Sequence, residues 1–221
     1  MSLSIKGLSK TYATREGAKN VLSGLDLEVR PGELFGLMGS NGSGKTTLLK
    51  IISSLVLPSA GEVAVLGVNI KAYPARTKTN IGLIGDAEGG FYQMLSAEEN
   101  ISFFAELFGV GGKLASERMA RLFDLFEIKG YKKEKFSHLS SGTRQKLAFV
   151  RALMHTPGLL LIDEAVRSLD DASAARVSKY LSEEFTGHGK TCLAVTHDRA
   201  WAEKYCKRIG LLKDGNIEIK Q

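Results

Sequence analysis

The sequence predicts an α/β fold: a mostly parallel sheet, a small antiparallel sheet from the N-terminal third, and a helical insert of roughly residues 87–157. Three stretches predict it. The apolar run Leu34, Phe35, Leu37, Met38 passes through a glycine-rich loop into Leu48, Leu49, Ile51, Ile52, Leu55 and Val56 at helical spacing, a strand followed by a helix. Leu159-Leu160-Leu161-Ile162 is a short continuous apolar run ending in Asp163-Glu164. That is the pattern of a central parallel strand carrying carboxylates to the carboxyl edge of the sheet, where ligands bind in such folds. From Ala97 to about Phe126, Ile101, Phe104, Ala105 and Phe108 form one helical stripe, and Met119, Leu122, Phe123 and Phe126 a second beyond the break at Gly109-Val110-Gly111-Gly112.

The remaining elements follow in order. Residues 3–12 and 21–29 read as two antiparallel, half-exposed strands, the second alternating Leu25, Leu27, Val29 with Asp26, Glu28, Arg30 before the turn Arg30-Pro31-Gly32-Glu33. Ala13–Asn20 between them is polar and carries Gly17, so a loop is expected, with Tyr12 at its edge. Pro58-Ser59-Ala60-Gly61 is a turn, and Glu62–Gly67 and Ile81–Ile84 are short strands. Ser96 with Glu99 three residues on is a capping-box start for the first insert helix. Of Phe103, Phe104 and Phe108, all expected in the core, one on the outer face would make a docking surface. A helix over Thr143–Met154 closes at Pro157-Gly158, and Asp170 can cap a helix presenting Ala174, Val177, Leu181 and Phe185. Thr191–Thr196 is another buried strand ending at His197-Asp198. A short helix Arg199–Cys206 and a hairpin over 209–219, turning at Asp214-Gly215, complete the chain. No repeat or linker divides it, so residues 1–221 are expected to form one domain.

With 221 residues, 43% hydrophobic and 24% charged, the composition is ordinary for a globular chain. No apolar run approaches the ~18 residues of a membrane span, and MSLSIKGLSK lacks a signal-peptide core, so a cytoplasmic location is expected. The net charge of +6 suits nucleic acid, an anionic membrane surface or nucleotide without choosing among them. Its densest cluster, Lys129, Lys132, Lys133 and Lys135, is interrupted by Gly130, Tyr131 and Glu134 and reads as a solvated loop. Cys192 and Cys206 have neither metal-ligand spacing nor a disulfide framework, and read as buried thiols.

Gly39-Ser40-Asn41-Gly42-Ser43-Gly44-Lys45-Thr46 fits G-x-x-x-x-G-K-[ST] at every defined position, between a strand and a helix. The glycines allow consecutive N–H groups to turn inward around phosphate oxygens, and the helix adds its positive end. Lys45 supplies a cation for the outer phosphates, and the Thr46 hydroxyl can reach a magnesium ion bridging them.

That loop alone says only nucleotide. Together with Leu139-Ser140-Ser141-Gly142-Thr143, Asp163-Glu164, Ser168-Leu169-Asp170 and His197, in this order, the chain resembles the ATP-binding subunit of an ABC (ATP-binding cassette) transporter over essentially its whole length. The resemblance implies a P-loop NTPase core of the ABC type, with ATP and Mg2+ as cofactors. It implies that Gly39–Thr47, including Thr46 and Thr47, cradle the phosphates, that Asp163 holds magnesium, and that Glu164 is the general base or water-positioning group. Ser140, Ser141 and Gly142 match the family signature that faces the ATP of the opposite subunit, His197 the histidine that contacts the γ-phosphate, and Tyr12 the aromatic that stacks on adenine. Ser168-Leu169-Asp170 match the loop linking the two sites. His138, His155 and His188 are read as structural.

The pattern departs from the family at four places. Ser141 and Thr143 replace a glycine and a glutamine of the signature, and Ala165 stands where a proline is usual. After the strand at Ile81–Ile84, Gly85-Asp86-Ala87-Glu88 replaces a glutamine that contacts magnesium and senses the membrane partner, with Asp86 the aligned candidate. A carboxylate still suits magnesium. Leu95–Ile101 resembles exporter-type cassettes that pair with separate permeases. The implied partners are a second ATP-binding subunit, head to tail, and an integral membrane permease, placing the chain on the cytoplasmic face of a membrane. The competing class is a soluble ABC ATPase acting on nucleic acid or ribosomes; against it, the chain carries neither a second cassette nor a coiled-coil or zinc insertion. A small-molecule kinase would leave Ser140–Gly142 unexplained.

Overall fold

A computed structural model of the chain describes residues 1–15, 17–85 and 89–220. Asp86, the candidate magnesium ligand, and Glu88 beside it lie outside the described residues.

Two sheets form. One is antiparallel, in the order β2-β1-β4-β5, from β1 (Leu3–Thr14), β2 (Gly17–Val29), β4 (Ala60–Val65) and β5 (Val68–Asn69). The other has the order β10-β9-β3-β8-β7-β6. In it β3 (Leu34–Met38), β6 (Ile81–Ile84), β7 (Leu159–Asp163), β8 (Thr191–Val195) and β9 (Arg208–Lys213) run parallel, and β10 (Asn216–Lys220) returns antiparallel. Alternate residues of the central strands feed two cores. Leu160, Ile162, Cys192, Ala194 and Ile84 face the insert helices, and Leu159, Leu161, Leu193, Val195, Phe35 and Leu37 face the first helix and the antiparallel sheet. Burial on both faces is why these strands read as unbroken apolar runs.

The helices are α1 (Lys45–Ile52), α2 (Pro74–Lys78), α3 (Ala97–Leu107), α4 (Gly112–Leu125), α5 (Ser141–Leu153), α6 (Asp171–Lys179) and α7 (Arg199–Tyr205). Helices α3, α4 and α5 lie between β6 and β7, and the Ser96–Glu99 capping box forms as expected. The basic segment is solvated: Lys129 and Lys132 pair with Asp124 and Glu98. His155 lies flat on Phe108, ring centres 4.0 Å apart, with Nε2 against the Ile81 carbonyl, a packing role.

Three expectations are corrected. The expected loop is largely strand: β1 and β2 stay paired down to Thr14 and Gly17, with Thr11 Oγ1 donating to Asn20 Oδ1 at 2.6 Å. Tyr12 therefore sits within a strand rather than at its end. Helix α1 stops at Ile52, where the Ser53 hydroxyl turns back to the Leu49 carbonyl at 2.8 Å and Ser54 takes φ 57, leaving Leu55 exposed. Phe103 is 42% exposed and Phe104 and Phe108 are half-buried, so the three are not all core.

A strand-end bond anchors the frame of the parallel sheet. Arg208 grips Glu33 with two bonds, Nε to Oε1 at 2.6 Å and Nη2 to Oε2 at 2.8 Å, and Glu33 is 3% exposed. Burial pushes the Glu33 carboxyl up, but the Arg208 bonds, the Arg30 amide and both guanidinium charges outweigh it and leave the group below its ordinary 4.5.

Candidate functional site

Three neighbouring parallel strands deliver the site at their carboxyl ends. Strand β3 opens into the phosphate loop, β7 ends at Asp163 and Glu164, and β8 leads to His197. The loop geometry demands glycine at two points. A Cβ on Gly39 would stand 2.6 Å from the Leu212 carbonyl oxygen and 2.7 Å from Ser43 Oγ. Gly44, the N-cap of α1, has φ 107, a left-handed conformation costly to any side chain, with Leu22 and Val21 within 3.1 Å of where a Cβ would lie. The first turn of α1 holds no acid of its own, which suits an anion at its free N–H groups.

Lys45 is 6% exposed, and its Nζ donates to the carbonyls of Gly39 and Ser40, both at 2.9 Å. Burial lowers its pKa, and Glu164 and Asp163 counteract by favouring the charged form. The ammonium can exchange these carbonyls for phosphate oxygens. Ser43 Oγ is buried with no hydrogen-bond partner, a donor that a phosphate oxygen would satisfy. Ser40, Asn41 and Gly42 border a cleft of about 530 Å³ walled on its other sides by Lys19, Asn20 and Val21 of β2 and by the Lys213–Gly215 turn. Thr47, half-buried, follows in the first turn of α1.

Thr46 Oγ1 donates to Asp163 Oδ2 at 3.0 Å, so a hydroxyl and a carboxylate from opposite halves of the chain meet. Burial raises the Asp163 pKa, the Thr46 bond opposes this, and the neighbouring Glu164 charge adds to it. A half-buried carboxylate under that pressure favours a cation. Two hard oxygens with room for phosphate and water fit magnesium, which takes few protein ligands. Among the described residues no group of three His, Cys, Asp or Glu could hold a metal, in keeping with so sparse a ligand set.

Glu164 adopts φ 55, ψ 8, a left-handed backbone in a residue with a side chain. Strain of this kind collects at functional sites. The sharp turn after the strand leaves the side chain 42% exposed, with Oε1 2.8 Å from His197 Nε2. The distance is that of an ion pair, but the angle is not that of a hydrogen bond, so His197 Nε2 is still short of a well-aligned partner.

Ser140–Gly142 lies at the start of α5. Ser140 caps α5, its Oγ accepting from the Thr143 amide at 3.2 Å and sharing a 2.9 Å bond with the Thr143 hydroxyl. Ser140 and Ser141 are exposed, and α5 packs on β6, α3, α4 and the turn after Glu164. Asp170 caps α6, and the Ser173 amide and hydroxyl hold its carboxyl down to about 2, with Lys146 of α5 at 3.5 Å. Tyr12 is one strand out from the cleft. It pairs with Lys19, so both side chains project from the same face, and Lys10 Nζ lies 4.7 Å from its ring centre. Sequence reasoning missed the Lys213–Asp214 wall, reading Asp214-Gly215 only as a turn; no local signal brings that turn beside the phosphate loop.

The sequence profile described as ABC transporter matches residues 22–167. The chain is 34% identical over 224 residues to the lipoprotein-releasing system ATP-binding protein LolD 2 of Caulobacter vibrioides, covering 99% of this chain and 97% of that one. It is 29% identical to the ABC transporter ATP-binding protein NatA of Bacillus subtilis, over 97% of this chain and 87% of that protein. Identity to the Nod factor export ATP-binding protein I of Rhizobium etli is 31%, over 97% of this chain but 66% of that longer protein. The fold superposes with a TM-score of 0.90 and 27% identity on the dimeric, post-hydrolysis structure of the ATP-binding cassette MJ0796 bound to ADP and Pi, covering 99% and 98% of the two chains. Profile, relatives and fold agree with the site's geometry: the chain belongs to the ATP-binding subunits of the ABC transporters, and is an ATPase.

Proposed function

We propose that two such subunits close head to tail around two Mg-ATP molecules and that closure and hydrolysis drive a separate membrane permease, for export. Residues 1–221 act as one ATP-binding domain in this reading. Lys45 leaves the Gly39 and Ser40 carbonyls for the outer phosphates, and Gly39–Thr47 hold the rest of the triphosphate. Thr46 and Asp163 would hold magnesium, which when bound neutralises developing phosphate charge. Glu164 takes the proton of a water that attacks the γ-phosphorus as the bond to the bridging oxygen breaks. His197 keeps Glu164 in place and meets the γ-phosphate. Ser140 and Ser141, both exposed, and the half-buried Gly142 face the nucleotide of the partner subunit. Tyr12 stacks on the base.

The observation that carries the permease reading is an apolar groove of about 330 Å³ on the insert side, lined by Leu55, Leu83, Phe104, Leu107 and Phe108. Leu107 is 69% exposed and Leu55 58%, with Phe103, Tyr92 and Met94 exposed nearby. A patch of this kind marks a docking surface. No helix among the described residues is long and apolar enough to cross a membrane, so membrane attachment would come through a partner. The export direction rests on the Leu95–Ile101 segment and on the printed function of the Rhizobium relative. Nucleic-acid binding is disfavoured by the pairing of Lys129 and Lys132 within the fold. The test is sedimentation of the chain with membranes of its own cell. Parent protein should pellet with membranes carrying the permease, and Leu107→Glu should remain in the supernatant with ATP binding unchanged. Equal pelleting of both, or salt-sensitive binding to RNA or DNA instead, contradicts the reading.

A further inference from the structure

The cleft beside the phosphate loop has a wall that the assignments above leave unused. Lys213 and Asp214, in the turn between β9 and β10, line it across from Lys19 of β2. All three side chains are exposed, and none has a hydrogen bond or ion pair among the described residues. Three charged groups without a partner among the described residues around one cleft are available to a ligand. The cleft begins at Ser40–Ser43 and ends at Lys19, whose cross-strand partner is Tyr12. Of a nucleotide held by the loop, the part leading away from the phosphates toward Tyr12 is the sugar. Its size also fits, since a cleft of about 530 Å³ is within the range of small-ligand sites.

We propose that Asp214 is a specificity-determining residue that accepts hydrogen bonds from the ribose hydroxyls of the nucleotide, with Lys213 and Lys19 balancing its charge beside the triphosphate. A carboxylate accepting from vicinal sugar hydroxyls is a recurrent solution in nucleotide sites. The turn itself is held by backbone, not by this side chain: Ser23 N donates to the Gly215 carbonyl at 3.0 Å, and Asp214 and Gly215 take φ 50 and 79. Asparagine–glycine suits that turn as well as aspartate–glycine, so Asp214→Asn removes the charge and keeps the conformation.

The inference rests on the phosphate-loop reading, and titration of the full chain with ATP, 2′,3′-dideoxy-ATP and inorganic triphosphate separates the two. In Asp214→Asn, ATP affinity should fall about tenfold, the scale of a hydrogen bond to a charged group, while affinity for the dideoxy nucleotide and for triphosphate stays level or tightens slightly as a negative charge leaves the cleft. Parent protein should prefer ATP to the dideoxy nucleotide, and Asp214→Asn should not. Equal losses for all three ligands, or no loss for ATP, overturn the role of Asp214. If Lys45→Ala also leaves triphosphate binding intact, the phosphate-loop reading falls with it; if Lys45→Ala abolishes binding, only the role of Asp214 falls.

Discussion

Thr46 Oγ1 lies 3.0 Å from Asp163 Oδ2, joining the first turn of α1 to the end of β7 across 117 residues of sequence. The bond holds two hard oxygens side by side at the mouth of the phosphate loop. Asp163→Asn keeps the size and the Thr46 contact but removes the charge that a divalent cation needs. Hydrolysis should fall at least about a hundredfold, the scale of losing one electrostatic stabiliser, while ATP binding measured in chelator is unchanged. Hydrolysis within a few-fold of the parent would take Asp163 out of the magnesium role.

The Glu33–Arg208 pair should govern acid stability. The Glu33 carboxyl lies below its ordinary 4.5 in the folded chain, so its contribution is fully present above that value and is lost as pH falls through the lower, folded one. Glu33→Gln leaves the part-buried Arg208 guanidinium without its charge partner and should cost about 1.5–3 kcal/mol, the scale of hydrogen bonds to a charged group. Denaturant melts at pH 7 and pH 4 check this: the gap between parent and variant should be wide at the first and narrower at the second. A gap independent of pH would mean that Glu33 contributes through packing alone.

Tyr12→Ala should weaken ATP by about 1–3 kcal/mol, the range of base stacking on aromatics, and Tyr12→Trp should bind nearly as the parent does. Lys10 already covers one side of the ring, so the base would use what remains. Inorganic triphosphate, which has no base, should bind all three proteins alike. An equal loss of triphosphate would place the effect in the strand pair rather than in stacking.

Features set by local chemistry were legible in the sequence. The phosphate loop, the aliphatic run into Asp163-Glu164 and the Ser96–Glu99 capping box each need only a few adjacent residues, and each forms where expected. What was illegible depends on distant pairing. Ala13–Asn20 reads as a loop because it has no apolar alternation, yet the exposed hairpin stays paired as far as Thr14 and Gly17, helped by the Thr11–Asn20 bond. Leu55 and Val56 keep a helical spacing after α1 has ended, because a serine hydroxyl and one left-handed residue, not hydrophobicity, stop the helix. The wall formed by Lys213 and Asp214 arises from strand order, β9 lying beside β3, which no short motif encodes.

The central claim is that ATP is held between two subunits and cleaved with the help of Glu164, and one substitution separates binding from chemistry. Glu164→Gln retains the size of the side chain and its place beside His197 but cannot accept a proton, so hydrolysis should slow by about a hundred- to ten-thousand-fold, roughly 3–5 kcal/mol of barrier. The uncleaved nucleotide should then hold the closed pair. Size exclusion with light scattering, at high protein concentration in Mg-ATP, is predicted to show a dimer of Glu164→Gln that ADP does not produce and that Ser140→Arg abolishes. A variant that hydrolyses ATP at the parental rate, or one that stays monomeric with Mg-ATP even when bound to its permease, would contradict the account.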